Sequence, residues 1–146
     1  MAYTNALSAY KETRIRTASQ GQLIIMLYDE AVKQLDKSLE LLHLNMAGKK
    51  DPARIENIGK AIVKAQAIIT ELMVSLDFDQ GGEIAKNLFA LYTWFNKELL
   101  EAHMNTDSVR IASVRDMMND LRGAWVNVSA KTSAGDRPAA GLNIAG

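Results

Sequence analysis

Apolar residues recur at alternating spacings of three and four along four long stretches of the chain, which is the period of an amphipathic α-helix. The apolar stripes of the first, third and fourth stretches begin at Tyr28, Ile84 and Ile111 and end at Met46, Ala102 and Val128, respectively. No segment keeps for long the period of two that a β-strand requires, so the pattern predicts an all-α protein. The second stretch is the most regular, and its stripe consists of Ile55, Ile58, Ile62, Ala65, Ile69, Leu72 and Leu76.

The residues between the stripes are of the types that start and stop helices. Asp51 followed by Pro52 is typical of an N-cap with proline at the first helical position. We expect Asp77 to Gly82 to separate the second helix from the third, and Asp107 or Ser108 to cap the fourth. Helices of roughly 20 to 27 residues with such short connections must lie antiparallel to their neighbours. The prediction is an antiparallel up-down-up-down four-helix bundle.

The two ends of the chain fall outside this pattern. Residues 1–18 are partly apolar and are expected to form an N-terminal lid segment on a bundle that spans residues 19–131. Residues 132–146 are rich in glycine and alanine and are expected to form a flexible tail. The N-terminus lacks the pattern of a signal peptide, and the longest apolar run, residues 23–28, is far too short to cross a bilayer. We therefore expect a cytosolic protein with no membrane insertion.

Composition narrows the classes of function. The chain has 146 residues, the size of one domain, with 48% apolar and 23% charged residues, as in a globular protein. Lys plus Arg and Asp plus Glu both number 17, so net charge gives no reason to expect nucleic acid as a partner. The absence of cysteine excludes disulfides and thiolate zinc sites.

Candidate catalytic chemistry is sparse. Glu40 and His43 have the Glu-x-x-His spacing of di-iron sites in helical bundles. A second pair is missing, because Leu100 stands three residues before His103, the other histidine. Neither histidine is followed by the lysine and small residue that a phosphate relay would need. We expect no catalytic residues, no metal site and no cofactor, and therefore no enzyme.

The sequence holds more apolar residues than four core stripes can use. The run of residues 23–28 is apolar all around its helix, so one central core cannot cover it. At ~25 cal/mol per Å² of exposed apolar surface, something must cover the excess. Residues 1–18 could fold back over it, the chain could form a helical homo-oligomer, or a groove could take a partner's amphipathic helices. The other residues off the stripes are Val63, Ile68, Met73, Val74, Phe89, Tyr92, Trp94 and Leu100.

Segments spread over about residues 9–128 resemble, in order, the flagellar export chaperone family FliS. No single segment is specific, but their combination is. The segments that carry the resemblance are Ala9-Tyr10, Ile15 to Ser19, Gly21 to Asp29, Ala65 to Ile69, Glu71-Leu72, Ser75 to Asp77, Gly81 to Ala85, Asn87-Leu88, Leu91-Tyr92, Leu121-Arg122 and Ala124-Trp125.

This resemblance implies a cytosolic four-helix bundle that binds the C-terminal segment of flagellin. It would prevent premature polymerisation and assist delivery to the flagellar type III export gate, a membrane protein. We hypothesise that Tyr10 and Ile15 act as a displaceable lid. The alternative from another class is a helical homo-oligomer in which the apolar excess serves self-association. Four residues of the surplus apolar run are hypothesised to form either the client groove or the floor beneath it. They are Leu23, Met26, Leu27 and Tyr28.

Overall fold

The part of the chain that the structure describes, residues 20–48 and 50–133 of a computed structural model, consists of four long α-helices. Consecutive helices are joined by only a few residues, so each runs antiparallel to the one before it. The predicted all-α, up-down-up-down four-helix bundle is confirmed. The helices are α1 (Gln20–Ala47), α2 (Pro52–Val74), α3 (Phe78–Asn105) and α4 (Ser108–Ser133).

The four helices pack in a ring around a common core. Helix α1 packs beside α2 and α4, and α3 packs beside the same two helices, so α1 and α3 are diagonal to each other. All four apolar stripes contribute to the core, as the sequence period requires. The largest fully buried side chains are Leu27, Tyr28 and Leu35 of α1, Ile62, Ile69 and Leu72 of α2, Tyr92, Phe95 and Leu99 of α3, and Ile111, Val114 and Met118 of α4.

Two of the predicted helix starts are confirmed by their hydrogen bonds. The side chain of Asp51 accepts a hydrogen bond of 3.0 Å from the backbone N–H of Ala53. The side chain of Asp107 accepts bonds of 3.1 and 3.2 Å from the N–H groups of Val109 and Arg110. Each carboxylate satisfies donors that have no partner within the helix, which is why aspartate is favoured at these positions.

The connection between α2 and α3 is shorter than predicted. Helix α3 already begins at Phe78, because the side chain of Asp77 accepts a 3.0 Å hydrogen bond from the N–H of Gln80 and caps the helix there. Gly82, with non-helical φ 50° and ψ −126°, kinks α3 and separates the capped turn of residues 78–81 from the rest of the helix. This conformation is accessible to glycine because it has no Cβ.

For several residues the observed burial differs from the burial that the sequence predicts. The helical period predicts core positions for Met46, Ile55 and Ile84, but these residues are 75%, 50% and 37% exposed. All three lie near helix ends, where the neighbouring helices no longer cover them. Conversely, Ile68 and Tyr92 were counted as surplus but are buried in the core.

Candidate partner-binding surface

Helix α3 carries more exposed large apolar side chains than any other described helix. Most helices expose two or three such residues, whereas α3 exposes six. Isolated exposed apolar residues are ordinary on protein surfaces, but a concentration on one helix marks a candidate interaction site. The six are Phe78, Ile84, Phe89, Trp94, Leu100 and Met104.

Two contacts define how α2 and α3 align. The side-chain amide of Gln66 donates a 3.3 Å hydrogen bond to the backbone oxygen of Asn96. Gly59 lies seven residues before Gln66 on α2, and His103 lies seven residues after Asn96 on α3. These two residues also meet, since a Cβ added to Gly59 would lie 2.7 Å from Nε2 of His103. Since seven residues are nearly two helical turns, both pairs lie on the same line of contact between the antiparallel helices.

The exposed flanks of this contact line form what we call the α2–α3 seam. Residues three, four, seven, eight or eleven positions from Gln66 or Asn96 lie on the same flank of their helix as the contact itself. The apolar residues at these positions on the core side of the line are buried, whereas those on the solvent side offer an apolar surface. The seam is lined by the exposed Ile55, Phe89, Leu100 and Met104 and by the half-buried Val63 and Met73.

The middle of the α2–α3 seam is polar. The Nδ2 of Asn96 donates a 3.2 Å hydrogen bond to the hydroxyl of Thr70, which itself donates to the backbone oxygen of Gln66 at 3.0 Å. The Oδ1 of Asn96 is buried and has no hydrogen-bond partner among the described residues. A neutral polar cluster therefore divides the apolar seam into two parts.

The two seams beside α4 are bridged by charged side chains instead. Arg115 binds Asp36 of α1 at 2.8 Å, and this hydrogen bond raises the pKa of the Arg115 guanidinium. Arg122, also on α4, binds Asp29 of α1. On the other side, Arg110 binds Glu98 of α3 at 2.8 Å. An apolar partner would have to displace these ion pairs, whereas the middle of the α2–α3 seam is formed by the neutral side chains of Gln66, Thr70 and Asn96.

The structure places the hypothesised groove residues mainly below the surface. Leu23, Leu27 and Tyr28 are buried, and Met26 is half-buried. Tyr10 and Ile15 lie outside the described residues. Their roles in binding a partner stay predictions. Ile24 is also buried, so the buried residues of this part of α1 form one broad face that packs against the bundle.

The buried Tyr28 belongs to an aromatic cluster with a polar centre. Its hydroxyl is hydrogen-bonded to the hydroxyl of Tyr92, and the two ring centroids are 6.4 Å apart. Burial raises the pKa of Tyr28 to about 12, although hydrogen bonds from Tyr92 and Trp125 lower it. Burial also raises the pKa of Tyr92, and proximity to the Tyr28 hydroxyl raises it further. Both hydroxyls therefore stay neutral at physiological pH.

Residues 20–48 and 50–133 contain neither a candidate metal site nor a candidate membrane-spanning helix. No group of three or more histidine, cysteine, aspartate or glutamate side chains is placed to hold a metal ion there. Within the same residues, no helix combines the length and apolar character that a bilayer crossing requires.

Sequence reasoning missed Asn96 as a seam residue and assigned Ile55 to the core. The available signal for the polar cluster was weak. Gln66 interrupts an apolar segment of α2, and Asn96 follows the buried Phe95. Which two polar residues meet depends on the alignment of α2 and α3, and the pattern within one helix does not contain that information.

An apolar seam with a neutral polar centre on a helical bundle is a surface against which an amphipathic segment of another protein can pack. The sequence model of the family described as "Flagellar protein FliS" matches residues 3–132. The chain therefore belongs to the FliS family.

Individual relatives agree with this assignment. The chain is 34% identical to the flagellar secretion chaperone FliS of Salmonella typhimurium (strain LT2), with 84% of this chain and 85% of that protein covered. It is 29% identical to the protein of the same name from Bacillus subtilis (strain 168), with 86% of each covered. The Escherichia coli (strain K12) protein is 34% identical over 78% of this chain and 79% of its own length.

Proposed function

We propose that this protein is a cytosolic chaperone that binds the C-terminal segment of flagellin, prevents its premature polymerisation and assists its delivery to the flagellar export gate. Membership of a family whose relatives are named flagellar secretion chaperones supports the proposal. The observation that carries it is the α2–α3 seam, whose exposed apolar side chains fit an amphipathic client.

The seam is long enough for an extended client contact. Ile55 and Met73 lie 18 residues apart on α2, which corresponds to about 27 Å along the helix axis. A client segment that becomes helical on binding loses ~2–5 kcal/mol to ordering. Burial of apolar surface at ~25 cal/mol per Å² must exceed this cost. A long surface supplies that area better than one compact pocket.

The hypothesised lid completes the mechanism. In this proposal Tyr10 and Ile15 protect apolar surface until a client displaces them. Leu23, Leu27 and Tyr28 are buried in α1, which is diagonal to α3, so they act as a floor away from the α2–α3 seam, and Met26 is the member of this group that a client can touch directly. The membrane protein of the export gate is the second partner, and it receives the loaded chaperone.

The alternative is a homo-oligomer in which exposed apolar residues of two copies cover each other. The observation in its favour is that exposed apolar residues also occur away from the α2–α3 seam, as at Met46 and Val109. This alternative predicts a concentration-dependent dimer and no affinity for flagellin.

The decisive experiment is calorimetric titration with the C-terminal segment of flagellin from the same cell. We expect saturable binding near one-to-one with a strongly negative heat-capacity change. The double variant Phe89→Asp/Leu100→Asp should weaken binding at least about tenfold, because it places charges in the apolar seam. Val109→Asp is the matched control, because Val109 is exposed but lies on α4, away from the seam.

Sedimentation of the same samples separates the two functions. A folded monomer that does not bind the flagellin segment would contradict the chaperone proposal. A dimer that dissociates in the Phe89→Asp/Leu100→Asp variant, without flagellin binding in the wild type, would support the homo-oligomer.

A further inference from the structure

We infer that Asn96 is a specificity-determining residue that accepts a hydrogen bond from a polar side chain in the middle of an amphipathic client helix. This inference rests on the proposed function, because it concerns what the α2–α3 seam selects in its client.

The hydrogen bonds of Asn96 leave one strong acceptor unused. Its backbone oxygen accepts from Gln66, and its Nδ2 donates to Thr70, but its buried Oδ1 has no partner among the described residues. Buried polar atoms are nearly always hydrogen-bonded, so an exception requires an explanation. A client donor that enters the seam from outside supplies the missing partner.

The side chain can reach such a donor without disturbing the bundle. The terminal torsion of asparagine is soft, so a modest rotation brings Oδ1 towards the surface. Because Oδ1 and Nδ2 are bonded to the same carbon, this rotation breaks the exposed 3.2 Å bond to Thr70 and turns Nδ2 inward as Oδ1 turns outward. Thr70 keeps its 3.0 Å bond to the backbone of Gln66, so no new buried group is left without a partner on α2.

The spacing of apolar residues around Asn96 sets a pattern for the client. Leu100 lies four residues after Asn96, and Phe89 lies seven residues before it, about 6 Å and about 10 Å along the helix axis. Eleven residues are close to three full turns, so all three side chains lie on one flank of α3.

A client helix lying along the seam has the same rise per residue, and it must match these distances. It therefore carries apolar residues at positions i and i+11, with serine, threonine, asparagine or glutamine between them. The polar residue stands at i+4 or at i+7, according to the direction in which the helix runs. All of these positions share one helical face.

Charge along one edge of the seam indicates the rest of the client's character. Lys86 precedes Phe89 by three residues and Lys97 precedes Leu100 by three, so a lysine stands beside each apolar position. Lys86 has only an exposed, 3.6 Å ion pair with Glu83. The facing edge of α2 carries Thr70 near its middle and, closer to its N-terminus, Glu56, which is paired with Lys60 at 3.2 Å. The complementary occupant is an amphipathic helix with acidic residues on the edge next to α3.

The test is a double-mutant cycle between chaperone and client. Each serine, threonine, asparagine and glutamine of the flagellin C-terminal segment is changed to alanine, one at a time. Each peptide is titrated into the wild-type protein and into Asn96→Leu. We expect one client position to lose about tenfold in affinity against the wild type and nothing against Asn96→Leu. That position should stand four or seven residues from an apolar residue, with a second apolar residue completing the eleven-residue span.

Two controls separate the acceptor from a general effect on the seam. Thr70→Val removes the partner of Nδ2 but leaves Oδ1, so it should show no coupling to any single client position. Lys97→Glu should weaken binding, whereas Lys33→Glu, at an exposed lysine of α1, should leave it unchanged. If Asn96→Leu does not fold, Asn96→Ala takes its place, because alanine is the best helix former.

The outcomes distinguish the inference from the function beneath it. Binding of the flagellin segment with no coupling at any position, or with equal coupling at all of them, overturns the role of Asn96 and leaves the chaperone function standing. Absence of binding by the folded wild type overturns the proposed function and this inference with it.

Discussion

The hydroxyl of Tyr28 on α1 is hydrogen-bonded to the hydroxyl of Tyr92 on α3, which joins the two diagonal helices through the centre of the bundle. Trp125 on α4 also lies close enough to the Tyr28 hydroxyl to lower its pKa. Three of the four helices therefore meet at one polar point in an apolar core. Buried polar groups of this kind favour a unique packing as long as they remain paired.

This buried pair predicts a loss of stability in alkali. Burial raises the pKa of Tyr28 from 10.0 to about 12, so the unfolded chain ionises first as pH rises. The stabilising contribution is complete below pH 10 and disappears as pH rises through the folded-state pKa. We expect the free energy of unfolding to fall by about 2 kcal/mol between pH 10 and pH 12. Urea unfolding at a series of pH values measures it.

The matched control for this prediction is the double variant Tyr28→Phe/Tyr92→Phe, which keeps both rings and removes both hydroxyls. The variant retains every other titratable group, so any effect of pH that does not come from this pair remains in it. An equally steep decline in wild type and double variant would show that the tyrosines are not the cause.

The close approach of Gly59 and His103 predicts an energetic coupling between α2 and α3. A Cβ at residue 59 would lie 2.7 Å from Nε2 of His103, so the ring must move aside in Gly59→Ala. In a His103→Ala background the obstacle is gone, and Gly59→Ala should stabilise the helix by about 0.5–1 kcal/mol. In the wild type we expect this gain to be reduced or lost. Urea unfolding of the four proteins gives the coupling, and purely additive effects would contradict it.

The kink at Gly82 predicts opposite effects for two glycine-to-alanine changes. Gly82 has φ 50°, which alanine adopts only with strain, so Gly82→Ala should cost about 1–3 kcal/mol of stability. Gly123 lies within α4, and a Cβ there would meet no atom within 4 Å. Gly123→Ala should therefore stabilise by about 1 kcal/mol. Thermal unfolding measures both, and effects of the same sign would refute this account of the kink.

The ion pairs between α1 and α4 predict a small contribution that depends on salt. Arg115 and Arg122 are seven residues apart, as are their partners Asp36 and Asp29, so two parallel bridges span one seam. Because all four side chains are partly exposed, Arg115→Ala and Arg122→Ala should each cost only about 0.5 kcal/mol. The cost should shrink in 1 M salt, where screening acts over about 3 Å. Lys33→Ala is the control, and an effect that persists in high salt would point to lost packing instead.

The sequence predicted the parts of this fold that depend on one helix at a time. The helical period identified Ile58, Ile62 and Ile69 as core residues, and local hydrogen-bonding chemistry identified Asp51 as a cap. The same period assigned Ile55 to the core, because a stripe does not reveal where the neighbouring helices stop covering it.

The candidate site depended on relationships that no single helix contains. The apolar run at the start of α1 suggested a binding surface, yet Leu27 and Tyr28 are buried because α1 packs beside both α2 and α4. Asn96 gains its significance from Gln66 and Thr70, which lie on another helix. Sequence spacing could identify the surplus of apolar residues but not the seam where it reaches the surface.

The connection between α2 and α3 makes the two ends of the α2–α3 seam different from each other. At one end the helices are joined by residues 75–77, and the ring of Phe78 packs edge-on against Phe89 with centroids 5.9 Å apart. At the other end, Ile55 and Met104 are exposed where the chain leaves each helix in a different direction. The α2–α3 seam is thus closed by a direct chain connection at one end, whereas its other end lies where α2 begins and α3 ends without being joined to each other. A bound segment longer than the seam would meet this connection at one end only.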